Sequence, residues 1–426
     1  MTSGGRDPRQ RLSQEVRPTA TSSENRLVGR TSSQFFGLKR NGQSAGSVFR
    51  NAFLVTFIIF LALYPLFDGK FGWGKMGAFP TILIFTVLAL GLNIVVGFAG
   101  LLDLGYAAFF AIGGYTAAFL TSPQSPLAGI FQTNFYVAMA MSFIVAATFG
   151  IILGAPTLRL RGDYLAIVTL AFGEIVPRAF LNLEQWTKGS KGINPIGRPT
   201  VPWLENGQLG TKELFNSDQA AWYYLIFVVG CLSVFAIYRV ANSRIGRAWM
   251  AMREDELAAS AMGIDLVQTK LLAFAMGASF SGFAGSLWAS MLQLIDPFQF
   301  DFSISIIVLS MIILGGIGNI WGVIFGGVVL GFYDRVLTTE ATNWLHGLAG
   351  AINLPFISAA LGAVDLSQYK FGIFGMALII LMLTRPEGIF PNRQRAVEMH
   401  GGEAEPLEDQ LGEEALIDRP LGGVRA

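Results

Sequence analysis

"FSISIIVLSMIILGGIGNIWGVIFGGVVLGF", residues 302–332, runs for 31 residues without one charged side chain. As a single helix it would reach about 46 Å at roughly 1.5 Å per residue. The hydrocarbon of a bilayer is about 30 Å thick and about 20 apolar residues cross it, so this stretch must fold back on itself. The turn belongs at "LGGIGNIWG", residues 314–322, where four glycines and Asn319 interrupt the helix. A chain carrying such a hairpin is built for lipid, and its spans have to satisfy their backbone groups internally, as helices do.

The composition agrees. Of 426 residues, 52% are hydrophobic and 14% charged, where a soluble domain carries about a quarter charged. The mean hydropathy is +0.51. Fifty glycines and 35 phenylalanines suit apolar helices that approach closely through small residues. A formal charge of +1 makes no case for nucleic acid. The single cysteine, Cys231, sits in an apolar run and reads as a small buried hydrophobe. His346 and His400 are isolated and form no metal-ligand set, so neither a metal nor a cofactor is expected. There is also no G-x-x-x-x-G-K-[ST] phosphate loop.

Further spans are expected at 51–67, 79–99, 135–155, 164–183, 220–240, 271–294 and 370–384, with a short, glycine-rich segment at 105–120 that could be re-entrant. With the two arms of the hairpin these make an all-α, polytopic helical bundle of about ten membrane segments. Arg159 and Arg161, the basic residues of 239–270, and Arg385, Arg393 and Arg395 all fall on one side if both termini are cytoplasmic. Residues 1–50 read as a disordered basic cytoplasmic tail without a cleaved signal, 51–391 as the membrane domain, and 392–426 as an acidic cytoplasmic tail. The loops 184–219 and 338–368 then face outward.

"SRIGRAWMAMREDELAASAMGIDLVQTK", residues 243–270, interrupts this apolar chain with dense charge on the cytoplasmic side. Ile245, Trp249 and Met252 recur at helical spacing. Asp255 can cap a second short helix that carries Leu257 and ends at Gly263. The pair offers an apolar stripe edged by charge, suited either to a groove on another protein or to the flank of its own bundle.

Its core, "GRAWMAMREDELAASAMGI", resembles the cytoplasmic coupling segment of the permease subunits of branched-chain amino-acid ABC transporters. Four more stretches resemble the same family: "GLNIVVGFAGLLDLGYAAFFAIGGYTAAF" (91–119), "LRLRGDYLAIVTLAFGEI" (158–175), "MIILGGIGNIWGVIFGGVVL" (311–330) and the closing "RPEGIF" (385–390). The central turn and the ending are most similar to the M-type (LivM-like) subunit. The resemblance implies a non-enzymatic subunit of a bacterial inner-membrane importer. Its partners would be a homologous H-type permease, two ATP-binding cassette subunits and an extracytoplasmic substrate-binding protein. The coupling segment, 243–264, would then meet the ATPases through Arg247, Trp249, Met252, Arg253, Glu254, Asp255, Glu256 and Leu257. Motor closure would pull on the two adjoining spans. Close relatives in the family carry urea or short amides, which keeps that substrate class as an alternative.

Ionisable groups inside a bilayer cost about 2.5–3.5 kcal/mol even on the lenient insertion scale and are candidates for the path by default. Asp103 and Glu174 are the ionisable candidates here, and the polar Asn93 is taken with them. Glu174 and Arg178 stand four apart and can neutralise each other, unless Pro177 breaks the helix and frees Glu174. Asp103, beside Gly100 and Gly105, suits a cap, and Asn93 can bond a neighbouring helix. An ion-coupled carrier would want an unpaired mid-membrane carboxylate, and only Glu174 comes near that. A membrane enzyme would want clustered His, Asp or Cys, which the chain does not offer. Gly322 with Gly326 and Gly327 with Gly331 have the spacing of helix-packing pairs.

Overall fold

The computed structural model describes residues 56–70, 72, 74–157, 163–205, 208–212, 219–351, 366–384 and 388–390. Both expected tails, and Arg159, Arg161, Arg385, Arg393, Arg395 and His400, lie outside the described residues. By internal packing the chain divides into two units, residues 1–64 and 65–426. Of the first, residues 56–64 are helical, with the rings of Phe60 and Tyr64 edge to face.

In the second unit the helices are α1 (Phe79–Asn93), α2 (Tyr106–Thr121), α3 (Phe135–Thr157), α4 (Asp163–Asn182), α5 (Gln219–Ala241), α6 (Arg244–Glu254), α7 (Glu256–Ala261), α8 (Leu266–Leu292), α9 (Phe302–Gly315), α10 (Ile320–Phe332), α11 (Thr338–Ala351) and α12 (Leu366–Thr384). Among the described residues, seven segments are long and apolar enough to cross a membrane: Phe79–Phe98, Phe135–Pro156, Tyr164–Asn182, Gln219–Ala241, Leu266–Leu292, Pro297–Gly315 and Ile320–Trp344. Tyr106–Thr121 and Tyr369–Thr384 are shorter apolar helices. The chain thus builds the expected all-α polytopic bundle. Among the described residues, one antiparallel hairpin, Val201–Glu205 against Gln208–Lys212, is the exception.

α8 is the axis of this bundle, and α1, α2 and α3 pack along it. Small residues let the backbones meet. A Cβ on Gly282 would collide with Ala146 and lie 2.5 Å from the Ser142 carbonyl of α3, while one on Gly113 of α2 would strike the Gly282 backbone. Polar side chains then stitch the contacts: Tyr106 Oη donates to the Gly277 carbonyl at 2.8 Å, Ser142 Oγ to the Gly113 carbonyl at 2.9 Å, and Ala107 N to Ser305 Oγ at 3.0 Å. Each such bond contributes about 0.6 kcal/mol on average in a membrane protein. α2 is 16 residues, about 24 Å long, and is buried almost throughout. Protein surrounds it, which is the condition under which a short, glycine-rich helix is tolerated at membrane depth.

The hairpin of 302–332 turns where the glycines require. α9 ends at Gly315, Gly316 and Gly318 take positive φ of 110° and 81°, and Asn319 caps α10 by accepting from Trp321 N at 3.2 Å. The two glycine pairs of α10 serve two neighbours. Gly322 and Gly326 face α9 at Gly315 and Met311, whereas Gly327 and Gly331 face Thr86 and Ile82 of α1.

Several expectations are corrected. Residues 338–351 are not loop: α10 continues through a π turn, Tyr333–Leu337, into α11. Lys75 pairs with Glu340 there. Pro177 does not break α4, which runs unbroken past it. Within 184–219, the part from Thr187 to Ile196 is organised over the bundle, with Ile193 and Ile196 buried and Gly197 N bonded to Thr121 Oγ1 at 3.0 Å. Cys231 is exposed on α5 rather than buried. An ion network that sequence reading passed over joins Asp334 to Lys370 of α12 at 2.9 Å and to Arg335 at 3.2 Å. The break "YDR" in an otherwise apolar run was its signal.

Candidate functional site

The interrupting segment forms three helices joined by caps. Ser243 Oγ accepts from Ile245 N and Gly246 N to start α6, and Asp255 Oδ1 accepts from Leu257 N at 2.7 Å and Ala258 N at 3.1 Å to start α7. Gly263, at φ 84°, ends that turn, and Asp265 caps α8 through Val267 N and Gln268 N. An N-terminal cap is worth about 1 kcal/mol. Three in succession hold α6 and α7 as a bent arm on the end of α8.

One face of the arm is turned inward. Gly246, Trp249 and Met252, three residues apart, are the buried residues of α6. Trp249 has no exposed surface, and its Nε1 donates to the Thr269 carbonyl of α8 at 2.9 Å. Lys270, on the first turns of α8, is 8% exposed and pairs with Glu256 of α7 at 2.6 Å. The expected docking stripe is corrected accordingly: Trp249 and Met252 are covered by the bundle, and of the three only Ile245 is exposed. An amphipathic helix buries its apolar side against the nearest apolar surface, here its own bundle.

The other face is open. Leu257 is 70% exposed and Met262 84%, with Arg247, Glu254 and Asp255 exposed around them. Glu256 is half-buried against Lys270.

Arg253 belongs to neither face. Its Nη1 donates to the Gly97 carbonyl at 2.7 Å. Gly97 lies in the π turn Ile94–Phe98 that extends α1. A Cβ on Gly100, at φ 71°, would stand 2.6 Å from Arg253 Cγ, and one on Gly318 would stand 3.2 Å from Arg253 Nη1. Asn93 Oδ1 accepts from Gly318 N at 3.0 Å. The last residues of the closing motif complete the site: Ile389 N and Phe390 N donate to the Leu314 and Gly315 carbonyls at 3.0 and 3.2 Å, and Asn319 Nδ2 donates to the Phe390 carbonyl at 3.0 Å. Parts of the stretches 91–119, 243–264, 311–330 and 385–390, dispersed along the chain, therefore meet at one end of the bundle. No local pattern announced this socket. The only hint was the recurrence of glycine in "GFAG" and "GGIGN".

The three candidates for a path are separated by the fold. Asn93 is fully buried in the socket, and its Nδ2 has no partner among the described residues. Asp103 lies in the turn between α1 and α2, buried, with Oδ1 accepting from Gly105 N at 2.9 Å. Burial pushes its carboxyl up to about 7, against the pull of that N–H. Leu104 N, next to it, donates to Thr169 Oγ1 of α4 at 3.1 Å. Glu174 accepts from Arg178 at 3.1 Å, with the Arg178 side chain largely open on the flank of α4 and that of Glu174 half-buried. Among the described residues no group of His, Cys, Asp and Glu could hold a metal ion.

Comparison with known proteins places the chain in a family. The family model described as branched-chain amino acid transport system / permease component matches residues 78–383. The high-affinity branched-chain amino acid transport system permease protein LivM of Salmonella typhimurium is 33% identical over 371 residues, 84% of this chain and 79% of the relative, and LivM of Escherichia coli is equally similar. The permease protein LivH of Escherichia coli is 25% identical over 310 residues, 72% of this chain and 90% of the relative. No solved structure gives a significant match. A family model that spans the bundle from α1 to α12, together with relatives matched over most of both lengths, makes this chain a member of the permease components of branched-chain amino-acid transport systems, with LivM-like sequence.

Proposed function

We propose that this chain forms half of the translocation path of an ATP-driven importer of branched-chain amino acids, with the energy supplied by two separate ATP-binding cassette subunits. The observation that carries the reading is the two-faced arm of α6 and α7. Its inner face is fastened to the bundle through Trp249, Met252 and Lys270–Glu256, and its outer face presents Leu257 and Met262 amid Arg247, Glu254 and Asp255. A small apolar knob ringed by charge fits a groove on a soluble protein. This end of the bundle is cytoplasmic in our reading, with both termini on the same side of a bacterial inner membrane.

The second half of the path is a homologous H-type permease, which the similarity to LivH supports. Glu174 and Arg178 point outward from α4, and charge facing hydrocarbon is costly. That flank therefore meets the partner permease and the water between them, where a zwitterionic amino acid passes. A binding protein delivers the substrate at the opposite end, over the ordered turn Thr187–Ile196.

The test is co-expression with the two ATPase subunits and the H-type permease. Leu257→Arg or Glu254→Arg abolishes co-purification of the ATPases and uptake of radiolabelled leucine. Uptake that continues without any ATPase, or labelling of a cysteine at residue 260 from the outer side of the membrane, overturns the proposal.

A further inference from the structure

We propose that Arg253 is a positioning residue that carries the motor stroke from α6 into two turns at once: the π turn ending α1, and the glycine turn between α9 and α10. The inference rests on the reading of α6 and α7 as the motor's docking arm. It adds a route for the motion. By connectivity alone, a pull on the arm passes along the chain into α5 and α8. The geometry points instead to a cross-link between elements remote in sequence, since Arg253 and Gly97 lie 156 residues apart.

Gly97 stands in the last turn of a helix, where carbonyls lack intrahelical partners and the backbone dipole is negative. A guanidinium is the side chain best suited to that position, and a hydrogen bond from a charged donor is among the stronger ones. The arginine stem occupies the space a side chain at Gly100 would need, and its tip lies against Gly318. Asn93 ties the second turn to the first through Gly318 N. Ile389, Phe390 and Asn319 hold the end of α9 and the start of α10. Glycines at 97, 100 and 318 leave no flexible side chain between the arginine and these two backbones. Displacing α6 therefore displaces both turns, and with them the ends of α1, α2, α9 and α10.

The experiment uses the whole importer, with both permeases, the ATPases and the binding protein reconstituted in vesicles, and reads leucine taken up per ATP hydrolysed. With Arg253→Ala the ATPases still co-purify and still hydrolyse ATP, while uptake per ATP falls at least about tenfold, as loss of a charged hydrogen bond allows. Arg253→Lys, which keeps a cationic donor but not the fork, recovers part of that loss. An unchanged ratio in Arg253→Ala overturns the inference, as does loss of ATPase binding in that variant, which would make Arg253 part of the docking face. If the unmutated arm fails to bind the ATPases, it is the proposed function that falls. A second measurement needs no change at Arg253. Spin labels at Arg244→Cys and Ile317→Cys, with Cys231→Ser, keep their separation within about 2 Å between nucleotide-free and ATP-bound states, the scale of an ordinary helix shift. A larger change shows that arm and turn move independently and overturns the inference.

Discussion

Replacing Trp249 by alanine probes the inner face of the arm, and replacing Leu257 by alanine probes the outer one. Trp249 is fully buried, and truncating such an aromatic costs about 3–5 kcal/mol through lost burial and the cavity left behind. Its Nε1 bond to the Thr269 carbonyl is lost as well, a net contribution of about 1 kcal/mol. The two effects overlap, so a loss of about 4 kcal/mol is expected in total. Trp249→Phe keeps most of the volume and isolates the hydrogen bond, at about 1–2 kcal/mol. Leu257 is 70% exposed, and its removal changes stability by no more than about 0.5 kcal/mol. The assay is thermal unfolding of the purified permease in detergent without its partners, followed by ATPase co-purification. Trp249→Ala lowers the midpoint by several degrees, whereas Leu257→Ala leaves it in place but weakens ATPase binding. Equal midpoints for the two variants would refute the division of the arm into a fastened and an open face.

Three further outcomes follow from the same contacts. Gly282→Ala drives a methyl into Ala146 and the Ser142 carbonyl and lowers stability by about 1–3 kcal/mol in the same unfolding assay, whereas Gly230→Ala, whose methyl would meet only Val87 at 3.7 Å, is neutral or stabilising. Glu256→Gln leaves Lys270 buried without its counter-charge, and the unfolding midpoint drops by the equivalent of about 3 kcal/mol, less at high salt. Asp103, with its carboxyl raised from 3.8 to about 7, holds a proton in the folded state that the unfolded chain has released; stability falls as pH rises through that window, by up to about 4 kcal/mol, and levels off above it. Asp103→Asn removes that slope, and a pH titration of the unfolding midpoint reads it.

Much of the fold is legible in the chain itself, because in lipid each span must satisfy its own backbone and announces itself by length and apolarity. The charge-free run at 302–332 could only be a hairpin, its glycines marked the turn, and Asp255 and Gly263 marked the ends of the second arm helix. Chain-local signals of this kind also carry the family resemblance.

What only the tertiary structure decides is which surface each face meets. The spacing of Ile245, Trp249 and Met252 defines an apolar side but not whether a foreign groove or its own bundle covers it, and burial within the bundle answered that for Trp249, bonded to α8, and for Met252. The partners of Arg253 and Asn93, 156 and 225 residues away, follow from how α1, α6, α9 and α10 converge, and no periodicity in the sequence reaches so far. Hydropathy acts over one or two helical turns, whereas a socket lined by three glycines exists only once distant backbones have been brought within reach of one guanidinium.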